Sequence, residues 1–295
     1  MSMRACLGGV LLGLVCSVSA HGEPLPQRWV SAGGSLTEWV VALGGEPRLV
    51  GVDTTSQHPA SVQALPSIGY QRQLAAEGIL ALRPEVLVGS EEMGPPTVLE
   101  QLRGAGVQVL TLSAEPDLAT LSSTLEQLGR LLGEPARATR LLGEYRQRLT
   151  RQAEWISSAQ ASQEPPGVLL LFGQGGGNLL AAGQGTSADW LIGQAGGRNL
   201  AGHGGFKALS SETLTALDPD VLIITDRSLE GAAMRDALLA RHPALASLRA
   251  VRESRIYSLD PTLLVGGLGP RLPAELAALS TAFYPHAQAL TDISR

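Results

Sequence analysis

The hydrophobic residues of this chain fall into two patterns. Apolar-rich runs at residues 48–52, 86–89 and 107–112, and again at 168–172, 221–225 and 255–258, predict buried strands separated by helical stretches. Between 117 and 158 the spacing becomes helical: Leu118, Leu121, Leu125, Leu128, Leu131 and Leu132, then Leu141, Leu142, Tyr145 and Leu149. Gly133-Glu134-Pro135 interrupts this run, and Pro135 removes a backbone donor. The segment therefore reads as one long kinked helix, or as two helices with Pro135 opening the second. Residues 159–167 form a linker into the second half.

The plan is written twice. EGILALRPEVLV at 77–88 aligns with ETLTALDPDVLI at 212–223, an offset of 135, sharing Glu77/Glu212, Ala81/Ala216, Leu82/Leu217 and Pro84/Pro219. Each copy is a short helix, a Pro that stops it, and a buried strand. Residues 37–51 align with 188–202 at an offset of 151, with Trp39/Trp190, Gly45/Gly196, Leu49/Leu200 and Gly51/Gly202 coinciding. The offsets differ by 16, so the first half carries about sixteen additional residues between Gly51 and Glu77, a segment that contains Tyr70. Its Pro, Gly and Ser content is that of an ordered surface loop, and long insertions of this kind tend to carry function. Strands alternating with helices predict an α/β fold of two Rossmann-like lobes with central parallel sheets, spanning 28–114 and 166–285. A long helix within 115–160 joins them, and a ligand cleft lies where the strand ends of the two sheets face each other.

Composition narrows the partners. The 295 residues carry 22 Lys+Arg against 27 Asp+Glu, a net charge of −5 without a basic block, which argues against a nucleic-acid binder. With 44% apolar residues the bulk of the chain has enough to build cores. Residues 1–20 read as an export signal: Arg4, an apolar stretch from Leu7 to Val18, then Val18-Ser19-Ala20 before a cut. No later segment is apolar for long enough to span a bilayer, so the exported protein is expected in the periplasm and not embedded in the membrane. Both cysteines, Cys6 and Cys16, lie in that leader, and Gly13-Leu14-Val15 lacks the small residue needed next to a lipidated Cys16. Aromatics are few, with 4 Trp, 4 Tyr and 3 Phe, so an aromatic in a loop calls for a reason.

Catalytic motifs are absent. There is no G-x-S-x-G elbow, no H-E-x-x-H and no Walker loop. The glycine run from Gly173 to Asn178 lacks the continuation of a dinucleotide loop and reads instead as backbone that a flat ligand can approach. Five histidines, at 21, 58, 203, 242 and 286, are too scattered for a metal site; His58 and His203 lie in loops near strand ends.

With these features the chain resembles the substrate-binding proteins of ATP-driven importers for cobalamin, siderophores and haem. The leader, the two-lobed repeat, the connecting helix and the E-x-[IL]-x-A-L-x-P-[ED]-V-L signature carry the resemblance, over roughly residues 28–285. Pro66-Ser67-Ile68-Gly69-Tyr70-Gln71-Arg72 is similar to the haem-binding branch, and the resemblance implies that Tyr70 is the axial ligand of ferric haem. Ferric iron is hard and takes phenolate oxygen well, provided a nearby cation helps the phenol lose its proton. Arg72, and Arg227 from the other lobe, are the candidates to stabilise the phenolate or pair with haem propionates. Met93, Pro95, Pro96, Phe172, Gln174, Gly175 and Gly176 are expected to line the cleft. Some members of the branch use a second-lobe His where this chain has Gln174, so one five-coordinate haem is expected. The resemblance also implies that Glu77 and Glu212, equivalent in the two repeats, dock on arginines of an inner-membrane ABC permease. The expectation is a monomeric carrier and not an enzyme. The alternatives are a siderophore or cobalamin carrier on the same scaffold, a periplasmic hydrolase, and a divalent-metal binder.

Overall fold

The computed structural model describes residues 24–173, 179–225 and 234–287. Its first half runs β1 (Trp29–Ala32), α1 (Gly34–Ala42), β2 (Leu49–Val52), α2 (Ala76–Ala81), β3 (Val86–Ser90), α3 (Pro96–Gly104) and β4 (Gln108–Leu112). These strands form one all-parallel sheet in the order β2-β1-β3-β4. Two helices follow, α4 (Leu118–Leu132) and α5 (Pro135–Gln160). Of the two readings of the leucine-rich segment, the one with Pro135 opening a second helix holds. Gly133 takes the left-handed conformation at φ 77° as the cap of α4, and Pro135 stands at the first turn of α5, where its missing N–H costs nothing.

The second half runs β5 (Gly167–Phe172), β6 (Leu180–Ala182), α6 (Ser187–Gln194), β7 (Arg198–Asn199), β8 (Phe206–Ala208), α7 (Ser211–Leu217), β9 (Val221–Thr225), α8 (Met234–Arg241), α9 (Arg249–Arg252), β10 (Ile256–Ser258) and α10 (Leu272–Phe283). Its parallel strands β7, β5, β9 and β10 repeat the neighbour relations of β2, β1, β3 and β4. The sheet is nevertheless mixed. β7 takes only the start of β5, at Gly167 and Val168, which frees the edge at Leu171 and Phe172 for antiparallel β6, and β8 extends it. Neither β1 nor the β6–β8 pair was expected from the hydrophobic pattern.

One hydrophobic core passes through both lobes. Trp29 and Val88 of the first sheet, Leu128 of α4, Tyr145 and Ile156 of α5, and Val168 and Ile223 of the second sheet belong to a single buried cluster. The α5 helix, about 39 Å long at 1.5 Å per residue, touches both ends. Tyr145 packs on Trp39 with ring centroids 5.9 Å apart, while Gln152 donates to Ser280 Oγ at 2.8 Å and Gln160 to Tyr284 at 2.7 Å. A strap after β10 returns to the first lobe, where the Ser35 amide donates to Val265 O at 2.9 Å and Trp39 Nε1 to Leu268 O at 2.7 Å. No helix among the described residues is long and apolar enough to cross a membrane.

Candidate functional site: a cleft at the strand ends

The inserted segment is ordered by a buried carboxylate. Asp53, just past β2, is 2% exposed and accepts from the Gly33 amide at 2.9 Å, the Ser56 hydroxyl at 2.7 Å and the Thr55 hydroxyl at 2.7 Å. The loop then runs alongside β2, with Val52 donating to Pro66 O at 3.0 Å and Ile68 donating to Val52 O at 2.9 Å. Gly69 turns at φ 84°, which only glycine takes without strain, and presents Tyr70. Beyond it Gly94 donates to Gln71 O at 2.9 Å and Leu74 to Gly94 O at 2.8 Å, so the Tyr70 segment is held on both sides. Tyr70 itself is 42% exposed, and its hydroxyl has no hydrogen-bond partner among the described residues.

Two adjoining cavities open between the lobes. One, of about 280 Å³, is lined by Arg72 and Glu92 from the first lobe and by Phe172, Phe206, Thr225 and Asp260 among others from the second. The other, of about 500 Å³, is lined by Glu91, Glu92 and Glu115 on one side and by Ser187, Asp189 and Trp190 on the other. Glu91 follows β3, Thr225 ends β9 and Leu259 follows β10, so the cleft stands at the carboxyl ends of parallel strands, where open α/β sheets bind ligands.

Several side chains depart from the sequence expectation. Met93 is 4% exposed and packed in the first lobe's core, where its sulfur occupies the space a Cβ on Gly89 would need. It lines neither of these two cavities. Pro95 and Pro96 are exposed, but neither lines these cavities. Phe172 does line the cleft, whereas Gln174, Gly175, Gly176 and Arg227 lie outside the described residues. Arg72 is paired with Glu92, so any anion it receives competes with that carboxylate. His58 donates to Asp260 Oδ2 at 2.9 Å across the lobes. His203 has a buried Nε2 without a partner among the described residues. Glu77 and Glu212 are exposed in the first turns of α2 and α7. The Ser210 hydroxyl, the cap of α7, holds the Glu212 carboxyl below its usual range.

Beneath the cleft lies a network that the sequence reading missed. Arg271 donates to Glu38 Oε1 at 2.9 Å and to Asp260 Oδ2 at 3.0 Å, and His58 shares that same oxygen. Burial pushes the Glu38 carboxyl up, and the Arg271 guanidinium only partly offsets it. Burial acts the same way on Asp260, but hydrogen bonds from the Thr262 amide and hydroxyl, together with Arg271, outweigh it and hold that carboxyl low. Phe206 was missed as well, although the scarcity of aromatics marked any loop Phe for attention. Among the described residues no group of three or more His, Cys, Asp or Glu is placed to hold a metal ion.

Two α/β lobes on one continuous core, facing each other across a cleft at their strand ends, define a bilobal solute receptor. The periplasmic binding protein family model matches residues 30–263, and the chain belongs to that family. It is 66% identical to a periplasmic heme-binding protein from Pseudomonas aeruginosa, with a TM-score of 0.85 over 90% of this chain and 95% of that one. It is 36% identical to the periplasmic heme-binding protein BhuT, solved in complex with two hemes, with a TM-score of 0.75 over 90% of this chain and 99% of that one. A cobalamin-binding protein from Halobacterium salinarum is 25% identical over 265 residues, 88% of this chain and 70% of that protein.

Proposed function

We propose that this protein captures ferric haem in the interlobe cleft, with the Tyr70 phenolate as axial ligand, and delivers it to an ABC importer of the inner membrane. The observation that carries the reading is the state of Tyr70. It is an exposed phenol without a partner among the described residues, fixed on a pinned insertion beside a cleft, in a chain 66% identical to a heme-binding protein. An arbitrary loop tyrosine does not need a buried carboxylate and a flanking strand to position it. Arg72 and Arg227 are assigned to the phenolate or the propionates, with Glu92 releasing Arg72 as the ligand arrives. Residues 1–20 serve as the export signal, and Glu77 and Glu212 meet the permease. The carrier acts as a monomer, and the chemical work of transport belongs to the importer.

Titrating haemin into the purified protein tests this. A Soret shift that saturates, and that is lost in Tyr70→Ala, is the expected result. Saturation at one equivalent fits the single five-coordinate haem, and saturation at two fits the stoichiometry of BhuT. No shift in the wild-type chain, or an undiminished one in Tyr70→Ala, overturns the reading. The cobalamin-binding relative makes cyanocobalamin the competitor to titrate in parallel.

A further inference from the structure

Among the described residues, three large hydrophobic side chains are exposed: Leu25 at 38%, Tyr70 at 42% and Phe206 at 52%. A single exposed apolar residue calls for no explanation. Here two of the three are aromatic and come from opposite lobes. Tyr70 stands two residues before Arg72, which lines the same cavity as Phe206.

The second lobe builds this position with care. β8 exists only as the outer strand of the antiparallel extension, its register placing Phe206 opposite Ala182 and Ala208 opposite Leu180. Leu180 in turn pairs with Phe172 at the end of β5. The two phenylalanines thus meet diagonally across three strands, with centroids 6.2 Å apart and planes at 63°, the edge-to-face arrangement aromatic pairs favour. Phe172 is half-buried and steadies Phe206, whose ring is left half open to the cleft.

Resting on the haem reading above, we propose that the Phe206 ring, braced by Phe172, is the wall that stacks on the porphyrin face opposite Tyr70. The cargo is then held by two different interactions. Tyr70 recognises the metal, and Phe206 recognises a flat conjugated ring whether or not it contains a metal. Phe206 has no donor atom, so it gives the iron no second protein ligand.

The test separates these roles by titrating haemin and metal-free protoporphyrin IX into wild-type protein, Tyr70→Phe, Phe206→Ala and Phe206→Leu. Phe206→Ala should weaken both porphyrins by a similar factor, about tenfold for a lost stacking contact. Tyr70→Phe should weaken haemin and leave protoporphyrin within twofold. Phe206→Leu keeps apolar area and drops the ring, so it should recover less than half of the loss on a logarithmic scale. Haemin binding that depends on Tyr70 but is within twofold of wild type in Phe206→Ala overturns the wall alone. Full recovery in Phe206→Leu overturns stacking in favour of plain apolar contact. No haemin binding by wild-type protein overturns the reading beneath the proposal. Because Phe206 is exposed, the variants should keep the wild-type melting temperature, and that measurement guards against misfolding.

Discussion

Arg271→Met tests whether the buried charges beneath the cleft hold the lobes together. Glu38 belongs to α1 of the first lobe, while Arg271 and Asp260 belong to the strap that returns from the second. The Glu38 side chain is 5% exposed and those of Arg271 and Asp260 are 26% and 25% exposed. Removing one partner of a buried pair costs about 3–5 kcal/mol, because the remaining charge is left uncompensated. The partial exposure of Arg271 favours the lower end. A ceiling follows from the chemistry of the carboxylate, since Glu38 can escape by taking a proton. Protonating an ordinary glutamate costs about 1.4 kcal/mol per pH unit above ~4.3, hence roughly 4 kcal/mol at pH 7 and under about 2 kcal/mol at pH 5.5.

The penalty for Arg271→Met should therefore be about 3 kcal/mol near pH 7 and shrink by at least about 1 kcal/mol at pH 5.5. The sign follows from the shift. Glu38 has a raised carboxyl, so its contribution is fully present below the unfolded value and is lost as pH rises through the folded one. Losing Arg271 raises it further and steepens that loss. Asp260 has a lowered carboxyl, so its contribution is present above the unfolded value and fades as pH falls through the folded one. Urea unfolding followed by tryptophan fluorescence across this pH range gives the free energies. Because one core joins the lobes, a single transition is expected. A penalty below about 1 kcal/mol at neutral pH, or one that grows on acidification, refutes the reasoning. The double variant Glu38→Gln, Arg271→Met should recover most of the loss, since the more buried carboxylate is gone and Asp260 keeps its bonds from Thr262 and His58.

Two further outcomes concern docking and the second lobe's wall. Glu77→Lys with Glu212→Lys should leave haemin titration unchanged and abolish haem delivery to vesicles containing the importer; unimpaired delivery would remove both glutamates from the interface. In Gly183→Ala a Cβ would lie 1.9 Å from the His203 carbonyl oxygen, so the backbone leading into β8 must move away from the end of β6. The expected cost exceeds about 2 kcal/mol, with porphyrin binding lost together with the Phe206 position, and an unchanged melting temperature would contradict it.

How much of this was legible in the sequence depended on the length and burial of each element. β9 coincides with the predicted 221–225, because four consecutive β-favouring apolar residues, Val221 to Ile224, are buried together with Thr225. β1, one of the two inner strands of the first sheet, escaped notice because Trp29–Ala32 has only four residues, of which Ser31 is polar yet fully buried. It is hidden because the Ser31 hydroxyl accepts from Thr37 Oγ1 at 2.7 Å, a partner invisible to any local pattern. Met93 is buried for the complementary reason. A loop methionine beside prolines looks available, but the missing Cβ of Gly89 makes room for its sulfur in the core. The Glu38–Arg271–Asp260–His58 network joins residues more than two hundred positions apart, and no spacing rule reaches that far.

The two halves explain the cleft through their differences. Both carry the same four parallel neighbours, β2-β1-β3-β4 and β7-β5-β9-β10, and this shared part supplies the frame. What each adds is particular to it. The first half lengthens the connection between β2 and α2, from Val52 to Ala76, and this carries Tyr70 and His58. The second inserts β6 between β5 and α6 and β8 between β7 and α7, which carries Phe206. A symmetric frame would present the same chemistry to both faces of a ligand. The additions break that symmetry, putting an exposed phenol on the first half and an exposed phenyl ring on the second. Such a pair suits a cargo with a metal at its centre and a flat conjugated rim. The same asymmetry gives His58, on the first half's addition, a reason to reach Asp260 on the second half's strap. The loop that carries Tyr70 is thereby tied to the second half's strap.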